Sequence, residues 1–157
     1  DFTAGLTNTF SYKGFDLSIF FQANVGGKIY NANRANLELG TGYTNATRDL
    51  LNRWTTTNTN TDVKAAYQDP AVTISDRFIE DATYYRLKNI SFGYNFPSKF
   101  LKNAHLKNLR VYVSAQNAAT WSKYTGYDPE IGGNIMGIDR GYYPQARSFM
   151  FGASVQF

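Results

Sequence analysis

The feature that most limits how this chain can fold is a pair of alternating runs within residues 2–25. Phe2, Ala4, Leu6, Phe10 and Tyr12 hold every second place of the first run except position 8, with Thr3, Gly5, Thr7, Thr9 and Ser11 between them. Past Lys13-Gly14 the pattern resumes, with Phe15, Leu17, Ile19, Phe21, Ala23 and Val25 alternating with Asp16, Ser18, Phe20, Gln22 and Asn24. A period of two places successive side chains on opposite faces of a strand. If Lys13-Gly14 is a two-residue hairpin loop, counting fixes the register: Tyr12 faces Phe15, Phe10 faces Leu17, Leu6 faces Phe21, Ala4 faces Ala23 and Phe2 faces Val25. Only Asn8 opposite Ile19 and Thr7 opposite Phe20 mismatch in polarity. A slip of one residue would exchange the faces, so the agreement predicts a hairpin of strands at 2–12 and 15–25.

Three further strands are expected, at about 84–96, 109–119 and 148–157. In the third strand Ile90, Phe92, Tyr94 and Phe96 share a face, but Leu87 and Tyr85 fall out of phase with them. One extra residue near Lys88-Asn89, a β-bulge, restores the phase. Leu109, Val111, Val113 and Ala115 alternate in the fourth strand, and Phe149, Phe151, Ala153, Val155 and Phe157 in the fifth. Strands in soluble domains average about 5 to 6 residues, whereas a tilted strand that crosses a bilayer needs about 9 to 11. The connections alternate as well. Lys13-Gly14 and 97–108 are short, the latter with a helical turn expected at Ser98–Lys102; about 26–83 and about 120–147 are long and polar. Short turns at one end and long loops at the other fit an outer-membrane β-barrel, as do aromatics near the strand ends and Ser, Thr, Asn and Gln on the opposite faces. With the C-terminus on the periplasmic side, both long connections are extracellular.

Composition narrows the classes further. The 157 residues include 12 Phe, 12 Tyr and 2 Trp, with abundant Thr, Asn and Gly, which favours strands joined by polar loops over a helical bundle. No apolar run approaches the roughly 18 residues of a membrane-spanning helix. There is no Cys, hence no disulfide framework or thiolate metal site. The net charge of +4 is spread along the chain without the clustered Lys/Arg stripe of a nucleic-acid surface. Opening on Asp1-Phe2-Thr3 without Met is expected of a mature form or of a piece of a longer protein. A soluble glycan-binding β-sandwich or small barrel that uses loop aromatics is the alternative, since its strands also alternate. It requires Phe10, Leu17, Phe21 and Val113 to be buried against a second sheet.

The motifs Tyr12-Lys13-Gly14-Phe15-Asp16-Leu17, Gly27-Lys28-Ile29-Tyr30-Asn31, Arg53-Trp54, Ser75-Asp76-Arg77-Phe78, Tyr85-Arg86-Leu87-Lys88-Asn89, Arg110-Val111-Tyr112-Val113, Tyr124-Thr125-Gly126-Tyr127-Asp128-Pro129 and Tyr143-Pro144-Gln145-Ala146-Arg147 occur here in this order. Together they resemble the C-terminal barrel segment of SusC/RagA-type TonB-dependent outer-membrane transporters of Bacteroidetes. The resemblance implies an all-β segment, five meander strands that end a 22-stranded transmembrane barrel. It also implies a plug domain and a TonB-contacting segment, both absent from residues 1–157, and a SusD-like surface lipoprotein. The whole would import oligosaccharides or, in some members, peptides across the outer membrane. Gly152, Val155 and the final Phe157 look like the family's assembly signal, with Met150 where a polar residue is usual.

The candidate ligand contacts are Arg53 and Trp54 and the loop aromatics Trp121, Tyr124 and Tyr127, whose flat rings suit sugar C–H faces. Asp16, Gln22, Asn24, Tyr112 and Gln116 are expected to line the lumen. Asp128, Glu130 and Asp139 carry hard oxygen donors but match no calcium-loop spacing, so neither metal nor cofactor is expected. Enzymatic chemistry is not expected either. His105 is the only histidine, and Glu80-Asp81 are consecutive, so in an extended segment their carboxylates point apart, unlike a glycosidase pair about 5 to 10 Å apart.

Overall fold

The computed structural model describes residues 1–39, 45–65, 75–102, 105–130 and 137–157. In chain order the elements are β1 (Phe2–Tyr12), β2 (Phe15–Val25), β3 (Lys28–Asn31), α1 (Ala32–Leu37), β4 (Ile79–Asp81), β5 (Tyr84–Asn95), α2 (Ser98–Leu101), β6 (Asn108–Ser122), β7 (Ile138–Asp139) and β8 (Ser148–Gln156). They divide into two compact units. One comprises Asp1–Gly26, Thr83–Lys123 and Pro144–Phe157, the other Gly27–Ala82 and Tyr124–Tyr143.

The first unit is a five-stranded sheet in the order β1-β2-β5-β6-β8, with every neighbour antiparallel. Its first hairpin has the register that the alternation dictates, unbroken from Phe2 opposite Val25 to Tyr12 opposite Phe15. The turn works because Lys13 and Gly14 both adopt positive φ, 46° and 89°, the handedness that matches the twist of the flanking strands. A side chain at Gly14 would also meet the carbonyl oxygen of Asn95 at 2.7 Å.

The bulge lies where the broken phase places it. Phe20 pairs with Asn89 and Phe21 with Leu87, leaving Lys88 as the extra residue. A second irregularity was not legible in the sequence. Between β5 and β6, Leu87 pairs with Ala119 and Asn89 with Gln116, so Asn117 and Ala118 together stand opposite Lys88, with Asn117 at φ 50°. Relative to β2, β6 carries two additional residues, and an even number leaves its alternation intact. The strand therefore continues to Ser122, beyond the expected end at 119, and pairs Trp121 with Tyr85.

Exposure distinguishes the two readings of the alternation. Leu6 and Phe10 are each 59% exposed, Phe149 63% and Phe151 82%, and Phe21 keeps 38%. Leu17 and Val113 are partly exposed. A soluble sandwich would bury this face; here it is left open. On the polar face an ion pair bridges β2 and β6 across β5. Arg110 donates to Asp16 through Nη2 (2.6 Å) and Nε (3.3 Å), the pair lying over Gly93, where a Cβ would meet Arg110 Nη2 at 2.6 Å.

The second unit replaces what the sequence presents as long polar loops. Its three-stranded sheet has the order β4-β3-β7, with β3 antiparallel to β4 and parallel to β7. Among the described residues its cluster of buried apolar side chains is formed by Ile29, Ala82 and Tyr124. Polar contacts do much of the holding, and they shape the site below.

Candidate functional site

The site is built around two acids of the second unit, Glu80, partly buried, and Asp139, fully buried. Asn31, at the end of β3, caps α1 by accepting from the Arg34 amide at 2.9 Å. Glu80 in β4 pairs in register with Ile29 and accepts from the Thr125 hydroxyl (2.7 Å) and amide (2.8 Å), Asn31 Nδ2 (3.2 Å) and Arg34 Nη1 (3.3 Å). Arg34 Nε donates to Glu38 at 2.7 Å, Arg77 Nε reaches the other Glu38 oxygen at 3.0 Å, and Arg77 Nη1 extends to Asp62 at 3.2 Å. The chain Thr125–Glu80–Arg34–Glu38–Arg77–Asp62 thus alternates donors with carboxylates.

The second acid is Asp139, 1% exposed. It accepts from the Tyr124 hydroxyl at 2.5 Å and from the amides of Gly141 (2.8 Å) and Tyr142 (3.2 Å). Consecutive residues Tyr124 and Thr125 are therefore pinned to two different carboxylates. Gly126 passes so close to the Tyr124 ring that no side chain fits there. The result is a fixed presentation of the next residue, Tyr127, which is 67% exposed.

The electrostatics follow the hydrogen bonds. Burial works against the Glu80 carboxylate, but Thr125, Asn31 and Arg34 outweigh it and hold its pKa below the ordinary carboxylate value. Burial also opposes charge on Arg34, yet Glu38 and Glu80 together raise its pKa. Burial first, then the bond to Asp139, push the Tyr124 phenol well above its usual value, so Tyr124 stays the donor.

Beside this network lies a cleft of about 380 Å³. Asn31, Arg34 and Thr125 contribute to its lining, together with Asn33, Thr47, Asp49, Leu37, Gly126 and Tyr127. The Arg34 charge is spent on two carboxylates. What remains for a ligand is amide, hydroxyl and carboxylate chemistry next to one open aromatic ring.

No family model matches the chain. It is 44% identical over 167 residues to TonB-dependent receptor P3 of Formosa agariphila, covering all of this chain and 16% of that protein. It is 34% identical over 163 residues to TonB-dependent receptor SusC of Bacteroides thetaiotaomicron, covering all of this chain and 15% of SusC. Among solved structures, the RagAB peptide importer in its closed-closed state superposes with a TM-score of 0.84 at 32% identity, covering 99% of this chain and 17% of that one. The chain is a segment of a SusC-type TonB-dependent receptor. It spans only about a sixth of the length of these relatives.

The structure distributes the candidate residues of this SusC-type segment unevenly. Tyr127 lines the cleft. Tyr124 does not act as a stacking platform: it is 8% exposed and committed to Asp139. Trp121 is not a loop residue but lies in β6 opposite Tyr85, on the apolar face and 53% exposed. Arg53 turns back to the Leu50 carbonyl (3.3 Å) at the end of a 3-10 turn, and Trp54 is 43% exposed; neither lines the cleft. On the polar face Gln22 donates to the Tyr84 hydroxyl and Asn24 accepts from Thr3, each at 3.0 Å. Tyr112 lies over Gly152, too close for any side chain there, and carries the Arg110 guanidinium 5.4 Å from its ring centre. Gln116 is exposed and pairs with Ser148. Val155 and Phe157 are 44% and 80% exposed.

Asp128 binds the Glu130 amide at 2.9 Å, and Asp139 has the three donors described above. The cleft residues Asn33, Thr47 and Asp49 carried no signal in the sequence. They belong to a polar stretch without periodicity, and only the fold brings them beside Tyr127.

Proposed function

We propose that the full-length protein is a TonB-dependent importer of oligosaccharides in the outer membrane, and that this chain is the C-terminal part of its barrel. The observation that carries the reading is the open apolar face of five long antiparallel strands, which suits lipid. The five strands then close a 22-stranded wall, with Gln22, Asn24, Tyr112 and Gln116 toward the lumen, the short connections periplasmic and the long ones extracellular. A plug displaced through TonB and a SusD-like surface lipoprotein complete the machine, in keeping with relatives named TonB-dependent receptors. The strands provide wall rather than catalysis in this proposal; His105 stands exposed before β6.

Glycan is favoured over peptide by the cleft, where Tyr127 offers a ring face and Asn33, Thr47 and Asp49 offer hydroxyl partners without an unpaired cation. RagAB is named a peptide importer, so both classes belong in the test. With the full-length receptor, Tyr127→Ala is expected to weaken oligosaccharide binding roughly ten-fold by calorimetry, with barrel insertion unchanged. Binding of a peptide pool in the same cleft, lost in the same variant while sugars never bind, would replace the glycan reading.

Gly152, Val155 and Phe157 serve as the assembly signal in this proposal. Deleting Phe157 from the full-length protein should sharply reduce the outer-membrane fraction on immunoblots while total synthesis is unchanged. Normal insertion of the deletion variant would show the terminal motif to be incidental.

A further inference from the structure

One end of the five-stranded sheet is both basic and apolar. Lys13 sits in the turn between β1 and β2, Lys99 and Lys102 lie on and just after α2, and Lys107 directly precedes β6. Main-chain bonds gather these connections at the same end: Asn95 N to Gly14 O at 2.8 Å, Phe96 N to Leu109 O at 2.9 Å, and Lys107 N to Gln156 O at 2.8 Å. All four lysines are exposed. Residues 96–109 contain no Asp or Glu, and neither does the turn at 12–15.

The short helix explains part of the arrangement. Leu101 is 4% exposed and anchors it, which leaves its neighbour Phe100 73% exposed between Lys99 and Lys102. Lys13 Nζ lies 5.1 Å from the centre of the Tyr12 ring, itself 67% exposed. Lysine stems can lie along apolar surface while their ammonium groups reach a polar boundary, and exposed aromatics suit the same boundary. On the apolar side of the sheet, Phe92, Tyr94, Val111 and Phe151 line an almost wholly apolar groove of about 390 Å³. Tyr94 and Val111 carry it toward the basic end, since Asn95 and Arg110 are the last pair of β5 and β6.

We propose that this groove and rim form a binding site for an anionic phospholipid, with an acyl chain in the groove and the phosphate against the lysines. The inference rests on the reading of the sheet as membrane-spanning. A lipid is the occupant because the apolar groove runs toward the end of β5 and β6 at which the lysine-bearing connections lie. An anionic headgroup is selected because four exposed lysines lie in the connections at this end, with no carboxylate at 12–15 or 96–109, and the next one along, Asp16, is already held by Arg110.

The test uses the full-length receptor in nanodiscs of phosphatidylethanolamine alone or mixed with phosphatidylglycerol, with retained lipid counted by native mass spectrometry. Wild type is expected to retain phosphatidylglycerol preferentially, each Lys→Gln change at positions 13, 99, 102 and 107 to lower that preference roughly five-fold, and Lys→Arg to restore it. Added salt should weaken it. Equal retention of both lipids by wild type, a preference unchanged in the fourfold Lys→Gln variant, or capture of an acidic protein in place of lipid would each overturn the site. Loss of the heat-modifiable barrel in wild type would instead count against the importer reading, whereas an intact barrel without lipid preference counts only against this site.

Discussion

Replacing Leu6 by Arg should cost about 2–4 kcal/mol of barrel stability and strip the receptor from the outer membrane, while Thr7→Arg, one residue along, should insert normally. Leu6 lies near the middle of β1, opposite Phe21 and on the open apolar face. Burying a guanidinium near the bilayer midplane carries a penalty of that size, whereas charges on the inner face of a barrel do not. The contrast is sharp because Leu6 is already 59% exposed. In a water-soluble domain, a change at so open a position would stay within about 0.5 kcal/mol. Urea titration of the folded barrel and fractionation of cells provide the measurement; equal behaviour of the two variants would refute the lipid-facing assignment.

The second large effect is expected at Glu80. Changing it to Ala leaves the Thr125 amide without its carboxylate acceptor, leaves Asn31 Nδ2 only its longer contact with the Thr125 hydroxyl (3.4 Å), and removes one of the two carboxylates facing Arg34. A hydrogen bond to a charged group contributes about 1.5–3 kcal/mol, less where water can take the acceptor's place as at exposed Thr125, so the local structure that positions Tyr127 should loosen by about 1–2 kcal/mol, read as faster hydrogen exchange at residues 125–127. Glu80→Gln should lose less, since an amide oxygen still accepts. The pH dependence has a definite sign. The folded carboxylate has a pKa below its ordinary value of 4.5, so its contribution is fully present above that value. It is lost as pH falls through the folded pKa. Exchange protection at Thr125 should therefore fall on acidification in wild type and stay flat over that range in Glu80→Gln. A flat wild-type profile would mean that Glu80 does not hold this loop.

The two halves of the molecule differ in how far they can be read from sequence. The β1–β2 register is legible because nine of eleven consecutive pairs match in polarity at once, and a single slip violates most of them. The bulge at Lys88 is legible for a related reason: one extra residue reverses the phase of Tyr85 and Leu87. The two-residue irregularity at Asn117-Ala118 leaves the phase of β6 unchanged, so the pattern holds no trace of it. From the sequence the strand ends near Ala119 and Trp121 falls in the loop, whereas β6 continues through it to Ser122. Tyr124 looked like an open ring beside Tyr127, since nothing local marks the partner, Asp139, that buries it.

The sequence by itself determined the strands of the wall, their two faces and their order, because strand periodicity is a local property that each residue pair repeats. It also carried the resemblance to SusC-type receptors. Only the tertiary structure decided which aromatic rings are free to meet a ligand and which acids hold the segment between β6 and β7. Those roles depend on contacts such as Thr125 to Glu80, 45 residues apart, and Asn31 to Thr125, 94 apart. Hydrogen bonds closed over such distances leave no period in the chain, and their partners are chosen by the sheet that brings them together.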